Sequence, residues 1–150
     1  MQTTIAHREP AARTAPKQTT AAVPASKRSI VAGRVIGALP ALFLLADGVG
    51  KLVKPAPVVE GTLQLGYQAS VLVPLGIVLL ACTILYAVPR TAVLGAILLT
   101  GYLGGAVATH VRVGDPLLTH TLFPIYFGVM LWGSLYLRDP RVRALLPLRS

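Results

Sequence analysis

The chain of 150 residues predicts an all-α membrane protein: four transmembrane helices in an antiparallel bundle, preceded by a disordered N-terminal tail. Three observations lead to that class. The residues are 54% hydrophobic and only 13% charged, whereas ordinary soluble domains carry about 25% charged residues. The apolar residues gather into runs close to the roughly 20 helical residues that a bilayer core about 30 Å thick requires. Between the runs lie short clusters of proline, glycine and basic residues, which are turn signals. A chain of this length has room for several spans and for no second domain of substance.

Residues 1–29, MQTTIAHREPAARTAPKQTTAAVPASKRS, are rich in Ala, Thr and Pro with scattered Arg and Lys. They offer too little apolar surface to offset the entropy of ordering, so they read as a disordered basic tail. His7 lies there and reads as a solvated side chain. The membrane domain then occupies 30–146, with spans at about 31–53, 70–88, 91–109 and 117–137.

The first span carries the most polar groups. IVAGRVIGALPALFLLADGVGKLVKP has Arg34 near one end, Pro40 in the middle, and Asp47, Lys51 and Lys54 near the other. Only Val35 to Ala46 is free of charge, a length close to a signal-peptide core, but the basic tail before it is far longer than a normal leader region. Arg34 and Lys51 can snorkel to opposite interfaces, and the expected element is a retained helix. Pro55 and Pro57 stop it, and Val58, Val59, Leu63 and Leu65 predict a short amphipathic piece at the interface. Spans two and three carry no charge between Glu60 and Arg90 or from Thr91 to Thr109, and meet in a tight turn at Pro89-Arg90. Span four contains His120 near its start, with Asp115 as the expected helix cap and Pro116 in the first turn. Residues 138–150 form a second basic tail.

The net charge of +9 would suggest nucleic acid in a soluble protein, but here the cations sit at the chain ends and between apolar runs. Four spans place eleven of the fourteen Lys and Arg residues on the side of the two termini and three (Lys51, Lys54, Arg112) on the other. The positive-inside rule then predicts that both termini are cytoplasmic. Cys82 is the only cysteine, which excludes an intramolecular disulfide, a CxxC redox pair and a Cys-rich metal site.

Between helices in lipid, close packing depends on small residues. Gly33 and Gly37 in span one, and Gly101, Gly104 and Gly105 in span three, form the two candidate packing faces. The expected use is packing within the chain, with a dimer interface as the alternative. Tyr67, Trp132 and Tyr136 read as interfacial anchors.

Antiparallel crossing gathers the candidate site. The ends of spans one and three and the start of span four share one face, so Asp47, Lys51, His110, Arg112, Asp115 and His120 should assemble there, with Lys54 and Glu60 at its margin. Asp47 and Lys51 stand four residues apart with the acid first, the favourable order for a helical ion pair. Ionisable groups inside a span are costly and point to function. His110 and His120 flank a loop, where the leading expectation is interfacial hydrogen bonding with Arg112 or Asp115; imidazole, which titrates near neutral pH, could also relay protons. No metal site is expected, because no HExxH or comparable spacing occurs. A nucleophile constellation, a phosphate loop and a dinucleotide fingerprint are also missing from the sequence, and the expectation leans away from an enzyme.

The order Gly33-Arg34, Ala46-Asp47-Gly48, Lys51, Pro55, then Pro89-Arg90, then Gly101-Tyr102-Leu103-Gly104-Gly105-Ala106 with His110 and Arg112 resembles the DoxX-like family over about residues 30–146. The resemblance implies a four-helix integral protein of the bacterial cytoplasmic membrane. The family takes its name from a subunit associated with thiosulfate:quinone oxidoreductase, and some relatives are linked to membrane redox-stress complexes. Most members have no established activity. The leading expectation is therefore a non-catalytic accessory or scaffold subunit with a polar cluster on its outer face. The second is a subunit of a quinone-linked oxidoreductase, in which Arg112 or Lys51 stabilises developing negative charge while His110 or His120 relays protons. The third is a small-solute carrier acting as an oligomer, since one four-span chain is small for alternating access. Expected partners are the bilayer and either a membrane protein or a second copy of the chain, with no nucleic acid. No cofactor is predicted; quinone is the alternative, and haem ranks below it.

Overall fold

A computed structural model describes residues 26–145, all of whose regular elements are helical. In chain order they are α1 (Lys27–Val53), α2 (Ala56–Gln64), a 3-10 turn (Ala69–Val71), α3 (Leu72–Ala87), α4 (Ala92–Val113), a π turn (Leu117–Thr121), α5 (Phe123–Arg138) and α6 (Pro140–Leu145).

Helix α1 starts because the Ser26 hydroxyl accepts the Ser29 amide at 3.1 Å, one turn before the predicted start. The predicted tail over 1–25 lies outside the described residues. Pro40 sits within α1 and is buried, a position membrane helices tolerate when neighbouring helices cover the interrupted ladder. The helix ends where Lys54 turns left-handed (φ 56°), its amide bonded to the Gly50 carbonyl at 2.8 Å, with Pro55 directly after. The amphipathic piece predicted between the first two spans is α2, which buries none of its residues.

Three stretches are long and apolar enough to cross a bilayer: α1 with 27 residues, the 3-10 turn and α3 together with 19, and α4 with 22. The predicted count of four needs correction in this respect. The stretch over 117–137 is not one helix: Gly114 takes a left-handed conformation (φ 75°), a π turn follows, and α5 starts at Phe123 with Pro124 in its first turn. Its 16 residues rise about 24 Å, short of the bilayer core. Asp115 does not cap this helix; no side chain does. Its carboxylate turns back to His110.

Helix α1 packs on α3 and α5, α3 on α4, and α4 on α5. The start of α1 meets the end of α5, where Gly33 lies beside Leu137 and Arg138, and further along Phe43 packs on Phe123 and Phe127 near the start of α5. Leu44, Leu79, Tyr86, Ala96, Leu99, Leu131 and Leu135 fill the core. Part of the predicted C-terminal tail joins it: α6 folds back and buries Val142 in the same cluster. Residues 146–150 lie outside the described residues.

Of the two predicted small-residue faces, one is used within the chain. Gly33 and Gly37 are buried, and a methyl group on Gly37 would collide with the Ser134 and Tyr86 hydroxyls. Gly101, Gly104 and Gly105 have nothing within 4 Å of where a side chain would begin. The expectation that they pack inside the chain is not met, because α4 turns its Leu99 and Leu103 face inward instead. Gly48, Gly76 and Gly95 make the close contacts the sequence did not announce.

Candidate functional site

Where α1 ends, α2 crosses and α4 ends, the helices leave a cavity of about 610 Å³. Asp47 and Lys51 reach it from α1, His110 from α4, and Asp115 and His120 from the connection to α5. Five of the six predicted site residues therefore share one cavity. Its apolar part is formed by Phe43, Phe123 and Phe127, whose ring centroids stand 4.7–5.5 Å apart in edge-on and tilted arrangements.

The charges in the cavity come in pairs. Lys51 Nζ lies 2.5 Å from Asp47 Oδ2, one helical turn away as the spacing predicted. His110 Nδ1 lies 2.6 Å from Asp115 Oδ2. An ionised carboxylate only accepts hydrogen bonds, so Nδ1 is the donor to it. The bend at Gly114 makes this second pair, bringing Asp115 back against the last turn of α4. The His110 and His120 ring centroids are 6.0 Å apart, and His120 Nδ1 bonds the Thr119 hydroxyl at 2.9 Å. Among the described residues, no three His, Cys, Asp or Glu side chains are grouped to hold a metal ion.

Arg112 is the predicted site residue that does not line the cavity. Its guanidinium donates to the Leu65 carbonyl at 2.7 Å and lies 5.5 Å from the centre of the Tyr67 ring. It thereby ties the end of α2 to α4, a positioning role. Lys54 and Glu60 are exposed and also stand outside the lining.

A family model matches residues 35–134, from the third turn of α1 to near the end of α5, and its description is the DoxX-like family. That span is two thirds of the chain. The chain belongs to the DoxX-like family. No curated protein and no solved structure matches it. The assignment makes this DoxX-like chain a membrane protein, in keeping with its three apolar helices of spanning length. All six predicted site residues fall within the matched segment, whereas α6 lies beyond it.

Sequence reasoning missed several residues of this DoxX-like cavity. Tyr67, taken as an interfacial anchor, shares a hydrogen bond of 2.8 Å with Thr109 on the cavity wall. Tyr102 and Thr62 also line it, as do Val58, Gly61 and Leu65 of α2 and its flank. The predicted amphipathicity of α2 was the available signal for the last group, since an interfacial helix presents one face inward. Trp132 is not an end anchor either. Its indole N–H donates to Thr100 Oγ1 at 2.9 Å, joining α5 to the middle of α4.

Chemically, the cavity offers a row of polar atoms beside aromatic side chains, and the carboxylates of Asp47 and Asp115 are each already engaged by a neighbouring nitrogen. It suits a neutral molecule with hydrogen-bonding groups at one end and an apolar body.

Proposed function

We propose that this DoxX-like protein is a four-span protein of the bacterial cytoplasmic membrane, with both termini cytoplasmic. In this reading the π turn and α5 together complete the fourth crossing of an antiparallel bundle. The division of basic residues supports the orientation, since Arg34, Arg90, Arg138, Arg141 and Arg143 belong to the end opposite the cavity. The cavity then opens on the outer side.

The function we infer is that of a non-catalytic accessory subunit that holds a small, neutral, amphipathic molecule in that cavity. One observation carries the reading: the paired charges Asp47–Lys51 and His110–Asp115 face the same space as Phe43, Phe123 and Phe127. A charged ligand would have to compete with the contacts these side chains already make, and a wholly apolar one would strand the polar atoms. Gly101 and Gly104 support the accessory role, because their open surface on α4 suits close approach by a partner helix or a second copy. The test is purification in mild detergent followed by mass spectrometry of the organic extract and of co-purifying proteins. One molecule per chain is expected, with at least a tenfold loss in Asp47→Ala and in His110→Ala. Empty protein from both the native membrane and lipid-supplemented detergent would overturn the reading.

A second reading, a subunit of a quinone-linked oxidoreductase, is favoured by the Lys51 ammonium and the His110–Asp115 pair standing at one cavity. The residues fit a quinone head group: Lys51 would donate to a ring oxygen, and the phenylalanines would cover the ring. A quinone would supply two-electron redox chemistry when bound, while His110 would hold or pass a proton at Nε2. A quinone absorption band in the extract, bleached by borohydride, distinguishes this reading from the first.

A further inference from the structure

The opposite end of the bundle holds a feature that the cavity does not use. Arg138 ends α5 and Arg143 lies in α6, and both are only partly exposed. Nη2 of Arg138 and both Nε and Nη2 of Arg143 are shielded from solvent by protein and have no hydrogen-bond partner among the described residues. Shielding the edge of a cation without an acceptor is unfavourable, and proteins normally answer it with a counter-charge.

The side chains are also held in place. The Arg138 guanidinium lies 5.1 Å from the centre of the Tyr86 ring of α3, and its Cβ lies close beside Gly33 of α1. The Ser29 hydroxyl of α1 donates to the Leu137 carbonyl at 2.8 Å, closing the same seam. Burial of Val142 in the core fixes α6, and with it the neighbouring Arg143. The acid nearest in sequence is engaged elsewhere: Asp139 Oδ1 accepts the Arg141 amide at 2.9 Å, capping α6. Around this seam Arg34, Arg90 and Arg141 are exposed cations, and Asp139 is the only acidic residue of this end among the described residues.

We propose that Arg138 and Arg143 form a binding site for a phosphate-bearing anion, at the seam where α1, α3, α5 and α6 meet. The charge of a guanidinium is delocalised over its three nitrogens, so an anion on the accessible edge compensates the shielded edge as well. The N–H groups that stay accessible, Nη1 of both residues and Nε of Arg138, can donate to phosphate oxygens. At the end of a bundle in a bilayer, the abundant source of that chemistry is the phosphodiester of an anionic lipid, and basic seams between spans suit such head groups. The site is independent of whatever occupies the cavity and of the orientation proposed above.

The experiment uses the full chain purified in mild detergent, with binding followed by native mass spectrometry in about 0.15 M salt, where distant charges are screened. Phosphatidylglycerol is expected to bind about tenfold tighter than phosphatidylcholine. Arg143→Gln should remove about tenfold of that affinity, and Arg143→Lys, which keeps the charge, should restore part of it. Arg90→Gln, at the same end, should change it less than about twofold. Arg143 is the primary target because Arg138 contacts Tyr86 and its loss risks the fold. Displacement of the lipid by inorganic phosphate would support the site and assign it to a soluble phosphate. Equal affinity for the two lipids would overturn it, as would an Arg90→Gln loss matching that of Arg143→Gln.

Discussion

The two glycine-bearing faces differ in a way their spacing does not reveal. Gly33 and Gly37 on α1 let α5 and α3 come close enough for Ser134 and Tyr86 to occupy the space of a side chain. Gly101, Gly104 and Gly105 on α4 repeat the small-residue pattern and meet nothing within the chain. The same contrast separates the two ends of the molecule. Toward the Pro89-Arg90 turn, backbone approaches backbone, most closely where Gly95 meets Tyr86. Toward Gly114 the helices part around the cavity. A small residue permits close approach; a facing helix has to exploit it.

Substitutions at these positions can break the comparison. The largest effect is expected at Gly95, where a methyl group would overlap the Tyr86 backbone, which cannot rotate away. Gly95→Ala should cost about 3 kcal/mol, the upper part of the overpacking range, read as a lowered denaturation midpoint in mixed micelles. Next comes the open end. Asp47→Ala leaves the Lys51 ammonium without its partner, and His110→Ala removes the imidazole beside Asp115. Each should weaken ligand retention about tenfold, equivalent to about 1.4 kcal/mol, measured by quantifying the extracted molecule per chain. Both should disturb the denaturation midpoint far less than Gly95→Ala, because these pairs remain partly exposed.

A smaller effect is expected inside the closed end. The Tyr86 hydroxyl donates to Ser134 Oγ at 3.0 Å and lies 3.3 Å from the Leu131 carbonyl. Tyr86→Phe should cost about 0.6–1 kcal/mol, the usual worth of a hydrogen bond between membrane helices, read in the same micelle titration. The smallest intramolecular effect belongs to Gly104→Ala, which should leave the monomer unchanged or stabilise it by up to about 1 kcal/mol through helix propensity. If Gly104→Leu abolishes recovery of a co-purifying partner while the monomer stays folded, the open face is a docking face. If neither partner recovery nor oligomeric state changes, that face meets only lipid.

Much of the candidate site was legible before the fold. Ion-pair spacing placed Asp47 and Lys51 together, and the order of apolar runs brought His110, Asp115 and His120 to the same end as that pair. Arg112 escaped that logic. It sits two residues after His110, on a different side of the helix, and reaches Leu65 and Tyr67 instead. Asp115 does not cap a helix; the left-handed turn at Gly114 aims its carboxylate at His110, one of the two contacts expected for the histidines. Tyr67, Tyr102 and the phenylalanines were not legible as lining, because an aromatic residue in an apolar run has the same pattern whether it faces lipid, core or cavity.

The sequence by itself determined the helical class, the membrane setting, the family and the two polar groups that had to meet. Those properties follow from hydropathy, charge and local spacing, which are additive along the chain. Only the tertiary structure decided which glycines are pressed against backbone, that the fourth apolar run is broken by a π turn, and that α6 folds back to bury Val142. It also decided that Arg138 and Arg143 have shielded nitrogens without partners, far from the cavity the sequence pointed to. These are outcomes of fit between separate helices. Fit depends on rotation and depth of approach, quantities that no local pattern encodes.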